Sequence, residues 1–298
     1  MNIIEYARNQ AIKDLFRMAT FRNSFPTWKP AIKHAIGTAP SFHSILDLGD
    51  SLSDIFETTG VSGRGQSSVS GAGYAWEGIL CWYMNLCLID SRSVVLKQKA
   101  GQVPACIADA LTVNYGTTEA NTESDLVMVT FPNEPEFTQD TSMIAGFDYV
   151  KDMDKFCKQH IKQVKVGIIQ CKTNWNDNAQ IPMLWEIVYS STGFRNKNIT
   201  IGKNGVAIQN FSSFFYAFAT VPSNDPAGYE SNHLTVKRVN GLSGGNYWGR
   251  PSRSGVASSI KEIFNRKLVS ADWVHGNHQS DMQAALRNWP SGFAYFGL

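Results

Sequence analysis

The sequence predicts a mixed α/β protein with a central β-sheet flanked by helices. Three observations carry this. Residues 1–60 show helical periodicity, residues 74–89 are apolar on every side, and from residue 93 short β-rich runs alternate with helical ones. With 298 residues, 43% of them hydrophobic and 17% charged, the chain can bury a large core and is unlike a disordered or fibrous protein.

Residues 3–18 have mixed helical periodicity, and 44–58 follow with Ile45, Leu48, Leu52 and Ile55 at helical spacing. Residues 62–73 (SGRGQSSVSGAG) are rich in Gly and Ser and predict a loop, with Arg64 a candidate clamp on a polyanion. Residues 74–89 (YAWEGILCWYMNLCLI) predict a buried helix whose only charge is Glu77. A lone carboxylate there is expensive unless paired, protonated or bound to a cation. Glu77 therefore has a basic partner or faces a cleft or metal; a salt bridge at the helix start, near the N-terminal dipole, is the plain alternative.

Strands are predicted at 93–98 (SVVLKQ) and 123–131 (ESDLVMVTF), then a mainly helical segment at 142–163 and a strand at 164–173 (VKVGIIQCKT). A polar turn at 174–178 leads to a helix at 182–190, with Pro182 in its first turn. Further strands are expected at 199–208, 211–221 and 233–239. An amphipathic helix at 254–268 and a short one at 281–289 close the chain.

No run of about 18 apolar residues is present, so no membrane span is expected. The N-terminus lacks a basic-then-apolar signal pattern. Five scattered cysteines without a CxxC pair argue against a disulfide framework or structural zinc, and a reduced, cytoplasmic protein is expected. Cys171 could act as a nucleophile beside Lys172, against the usual role of Cys as a small buried hydrophobe. GxGxxG, GxxxxGK[ST] and HExxH are missing. His275 and His278 with Asp272 and Asp281 form only a loose metal-type grouping. Residues 241–245 (GLSGG) match the letters of a GxSxG elbow, but NYWGRP follows instead of a helix. Charge is uneven: between Arg195 and Ser270 ten Lys and Arg stand against three acids, which fits a polyanion partner.

The chemistry concentrates on two strands. Side chains on a strand alternate faces, so in VKVGIIQCKT residues Val164, Val166, Ile168, Gln170 and Lys172 share one face. That face starts apolar and ends in an amide and an ammonium, as a strand leaving a core into a cleft would. In ESDLVMVTF, Asp125, Val127 and Val129 share a face, and antiparallel pairing would lay Asp125 beside Gln170. The set suits phosphodiester hydrolysis. Mg²⁺ takes hard oxygens, commonly one or two carboxylates plus waters and phosphate oxygen. Asp125 offers the charged ligand, Gln170 a neutral carbonyl oxygen and Glu77 a second carboxylate, each of the last two directly or through water. Lys172 would hold the attacking water and offset transition-state charge.

Glu77, Asp125 and Gln170-Cys171-Lys172, in that order, resemble the PD-(D/E)xK nuclease superfamily in the variant with Gln in the E-x-K element. The resemblance implies a restriction-endonuclease-like αβββαβ core spanning about 73–221. It implies Asp at the start of one meander strand, Q-x-K on the next, and a Glu on the preceding helix. Ser124 stands where the name has Pro, and the gap from Asp125 to Gln170 requires 142–163 to be an insertion. Glu123 is the alternative ligand to Asp125; Asp140, Asp148, Asp152 and Asp154 are further, weaker candidates. The chain then divides into a helical N-terminal region (1–72), the catalytic core (73–221) and a basic portion (222–298) packed on it.

Asn240–Gly255 (NGLSGGNYWGRPSRSG) combines glycines, aromatics and arginines suited to a DNA groove. Candidate DNA contacts there are Asn246, Arg250 and Arg253, with Lys237 and Arg238 before them for phosphates. Asn174, Trp175 and Asn176 follow the motif where members of the superfamily often touch DNA. The resemblance thus implies a Mg²⁺-dependent type II restriction endonuclease acting on double-stranded DNA. A homodimer is expected, since two sites cut both strands of a palindrome. A non-catalytic DNA-binding module, or a repair or junction nuclease of the same superfamily, are the alternatives.

Overall fold

The computed structural model describes residues 1–59, 66–98, 101–120, 125–141, 146–173, 199–221, 260, 261, 264 and 278–298. Helix α1 (Ile3–Arg17) is capped by Asn2, whose side chain accepts from Glu5 N at 2.8 Å. Helices α2 (Ala19–Ile36) and α3 (Phe42–Glu57) follow, α3 closed by a reciprocal Ser41–Ser44 capping box. Helix α4 (Gln66–Cys87) then crosses the core.

α4 starts earlier than the sequence predicts. Residues 66–73, expected as part of a loop, are helical. The reason is cooperativity: once the buried turns beyond Tyr74 are fixed, each added residue gains a hydrogen bond. The Ser and Gly penalties, at most about 1 kcal/mol per residue, are outweighed. Ala72 is buried, so the extension also packs.

Strands β1 (Ser93–Lys97), β4 (Leu126–Thr130), β5 (Lys165–Lys172) and β7 (Ser213–Thr220) form a mixed four-stranded sheet in the order β1-β4-β5-β7. β4 pairs antiparallel with both β1 and β5, whereas β5 and β7 run parallel. A second, antiparallel sheet in the order β3-β2-β6 joins β2 (Val113–Tyr115), β3 (Thr118–Ala120) and β6 (Ile199–Ile201). The strand expected over 199–208 stops at Ile201. Left-handed backbone at Gly202, Asn204 and Gly205 closes a turn bridged between Lys203 and Val206, and a 3₁₀ turn covers Ile208–Asn210.

Helices α5 (Ala105–Leu111), α6 (Pro135–Thr138), α7 (Tyr149–Gln159) and α8 (His278–Ala285), with 3₁₀ turns at Leu286–Asn288 and Ser291–Phe296, are the other helical elements. In the expected helical segment 142–163, α7 and a 3₁₀ turn at Ile161–Gln163 are helical, while residues 142–145 lie outside the described residues. Also outside are the helix expected at 182–190, the strand at 233–239 and most of the helix at 254–268. Of the last, Ile260 and Phe264 are buried in the core.

The four-stranded sheet lies between two apolar layers, as its nearly unbroken apolar strands require. Val95, Leu126, Met128, Ile169, Cys171 and Ala217 pack toward α2, α3 and α4. Val94, Leu96, Val127, Val129, Val166, Ile168 and Tyr216 pack toward α5, α7 and the start of α1. β1 is the sheet edge, and its outer backbone groups are covered. Asn85 of α4 accepts from Val95 N at 3.1 Å and donates to Val95 O at 2.7 Å. Buried Arg8 of α1 donates to the carbonyls of Ser93 and Ser91 at 3.0 and 2.9 Å. The Asn85 contacts fix α4 against β1, which sets where Glu77 lies. Among the described residues no helix is long and apolar enough to cross a membrane.

Candidate active site

The polar groups of the motif gather where β1 and β5 end and β4 begins. Leu126 pairs with Ile169, so Asp125 and Gln170 are the next residues on neighbouring strands. Their side chains meet: Gln170 Nε2 donates to Asp125 Oδ2 at 2.9 Å. The same oxygen accepts the Cys171 backbone N–H at 2.6 Å, so the carboxylate prolongs the ladder beyond its last pair. Just past β1, Gln98 N donates to Asp125 O at 3.3 Å, tying the third strand to the same point.

Gln170 is almost fully buried, and its Oε1 accepts a long hydrogen bond, 3.4 Å, from Tyr216 on β7. This amide orientation presents Nε2, not Oε1, to Asp125. A half-turn of the amide exchanges the two atoms, and the Tyr216 hydroxyl can serve either, since it both donates and accepts.

Glu77 has the basic partner that burial demands. Lys97 Nζ lies 2.8 Å from Glu77 Oε2, with both side chains 14% exposed. The ammonium also lies 5.4 Å from the centre of the Tyr74 ring. With α4 starting at Gln66, Glu77 is in the helix interior, so the reading of a salt bridge at the helix start beside the N-terminal dipole is corrected.

The electrostatics join these groups. The Asp125 carboxyl is pushed up to about 7, first by burial and then by the charge of Glu77. The Cys171 N–H, Lys172 and Lys97 act in the opposite direction. Glu77, Lys97, Asp125 and Lys172 are therefore one electrostatic cluster. Lys172 ends β5 on the face of Gln170, and no described carboxylate pairs with it in a salt bridge.

Cys171 is not available. It is buried, and burial followed by the charges of Asp125 and Glu77 holds its thiol well above the ordinary range. Its contribution is a backbone N–H. The further acids have structural tasks. Asp140 pairs with the Met1 amine, Asp148 caps α7, Asp152 accepts from Asp148 N and Asp154 accepts from Cys106 N at the start of α5. His278 is buried against the Cys87 carbonyl at 2.8 Å.

The structure brings Asp125 and Gln170 into contact, places Lys172 two residues further along β5, and pairs Glu77 with Lys97, whose charges act on Asp125 together with that of Lys172. Sequence reasoning missed Lys97 and Tyr216. The unbalanced charge of Glu77 called for a partner, but nothing in SVVLKQ marks Lys97 as that partner. Glu123, Arg64, Asn174, Trp175, Asn176, Lys237, Arg238, Asn246, Arg250 and Arg253 lie outside the described residues. Among the described residues no group of three His, Cys, Asp or Glu side chains converges as a metal cage. No protein-family model matches the chain, and no curated protein sequence matches it significantly.

Proposed function

We propose that the chain is a Mg²⁺-dependent, sequence-specific double-stranded DNA endonuclease of the type II restriction class, built on a restriction-endonuclease-like core. The observation that carries the reading is the contact between Asp125 and Gln170 on adjacent strand ends, with Lys172 on the face of Gln170. The order α4, β1, β4, β5, β7, with β1-β4-β5 an antiparallel meander, supports the core that the resemblance implies.

The donor set fits Mg²⁺ better than an ion wanting a full protein cage. Mg²⁺ is held by one or two protein oxygens and keeps its remaining positions for water and phosphate. Asp125 would hold it through a carboxylate that burial and Glu77 make hungry for positive charge. Gln170 would join through Oε1 after the half-turn of its amide. When bound, the ion supplies Lewis acidity toward a phosphate oxygen and eases deprotonation of water.

The chain's own residues do the rest. Lys172, at the end of a buried strand on the face of Gln170, would orient the attacking water and stabilise the extra charge of the pentacovalent phosphorus. Tyr216 holds Gln170 in either amide orientation. Glu77, engaged by Lys97, acts through its charge. The basic stretch between Arg195 and Ser270 supplies the electrostatic attraction for DNA, with Asn174, Trp175, Asn176, Lys237, Arg238, Asn246, Arg250 and Arg253 as the contacts, and a homodimer supplies two sites.

Incubation with unmethylated plasmid and phage DNA in Mg²⁺, followed by sequencing of the ends, tests this directly. Discrete fragments with common ends support a type II enzyme. Nicks or a smear support a repair-type nuclease, and binding without cleavage supports a non-catalytic module.

A further inference from the structure

Lys97 is anchored at both levels of structure. Its backbone pairs with Leu126, the residue after Asp125, and its ammonium is held by Glu77 Oε2 at 2.8 Å and faces the Tyr74 ring. At 14% exposure neither member of the pair is free to swing into solvent. A second dication at Glu77 would have to displace this ammonium, which the strand register and the docking of α4 on β1 hold in place. Two like charges a few ångströms apart in a poorly solvated site repel strongly. The charges also close without a second ion. With both carboxylates ionised, Glu77 and Asp125 are balanced by Lys97 and Lys172, so one added dication leaves a net positive site for a phosphate.

We propose that Lys97 takes the place of a second divalent cation, so that Glu77 is a counter-charge and not a ligand. The site then holds one ion, at Asp125 and Gln170. This rests on the metal-dependent reading above. An ammonium supplies charge without Lewis acidity, so Lys97 tunes the site electrostatically without polarising phosphate itself.

The test is the stoichiometry of Mn²⁺ binding at pH 8, by calorimetric titration and by electron paramagnetic resonance of free Mn²⁺. Three full-length proteins are compared: wild type, Lys97→Met, and the double variant Glu77→Gln/Lys97→Met. The expected stoichiometries are one, two and one ion per chain. In the double variant the affinity is expected within about threefold of wild type, because only a neutral pair has been removed. A Glu77 ligand would instead cost roughly tenfold or more. If Lys97→Met does not fold, because Glu77 is left buried and unpaired, the double variant still decides, since exchanging a whole buried pair is well tolerated. Two ions in wild type, one ion in folded Lys97→Met, or a tenfold loss in the double variant would overturn the proposal. No Mn²⁺ bound by wild type at all would instead overturn the metal-dependent reading beneath it.

Discussion

Gln170 reaches across from β5 to donate Nε2 to Asp125 Oδ2 at 2.9 Å, at the point where β4 begins. This contact joins the two halves of the motif, forty-five residues apart in the chain. It also shows how a half-buried carboxylate is satisfied: by one amide N–H and one backbone N–H on a single oxygen.

Asp125 should weaken the fold at alkaline pH. Its folded value, about 7, lies above the ordinary 3.8 of an Asp, so the folded chain holds the proton more tightly than the unfolded chain. The associated stability is full below about pH 4 and is lost as pH rises through about 7. Asn keeps an oxygen for the two N–H donors without the charge. Asp125→Asn should therefore be more stable than wild type by a few kcal/mol at pH 8 and nearly equal to it at pH 4. Urea denaturation at the two pH values measures the gap, and a gap that does not widen with pH would contradict this origin of the shift.

Divalent cation and proton should compete for Asp125. Mg²⁺ is expected to raise the melting temperature of wild type, more at pH 8 than at pH 6, because the carboxyl must first lose its proton. Asp125→Asn should show little response at either pH. A thermal shift assay suffices, and an equal Mg²⁺ response in the variant would remove Asp125 from the metal site.

Much of this site is legible in the sequence because period-two alternation is a local property. VKVGIIQCKT places Gln170 and Lys172 on one face with no knowledge of the fold, and ESDLVMVTF does the same for Asp125 and Val127. Glu77 is conspicuous as the lone charge in an apolar helix. What the sequence does not expose is set at long range. Lys97 meets Glu77 only because Asn85 docks α4 on the edge of β1. β2 and β3 are three residues each, too short for alternation to register, whereas β6 keeps only the first three residues of the strand expected at 199–208. The early start of α4 depends on the buried turns that follow it, which outweigh the local preferences of Ser and Gly.

Cys171 should be dispensable for chemistry. Cys171→Ala removes a buried sulfur and should cost roughly 1 kcal/mol of stability while leaving the N–H to Asp125 in place. DNA cleavage should stay within about twofold of wild type, since the nucleophile in this account is a water held by Lys172. Native protein should also resist thiol-alkylating reagents at this position. Loss of cleavage in folded Cys171→Ala would reopen covalent catalysis by the thiol.

The most direct test of the account is the rate of plasmid cleavage in Mg²⁺ by Lys172→Ala beside wild type, with circular dichroism and DNA binding measured on both. Lys172 ends β5 with no carboxylate partner among the described residues, so its loss should leave fold and DNA affinity nearly unchanged. The account predicts site-specific cleavage by wild type and a loss of about 100-fold or more in the variant. Cleavage by Lys172→Ala at the wild-type rate would contradict it.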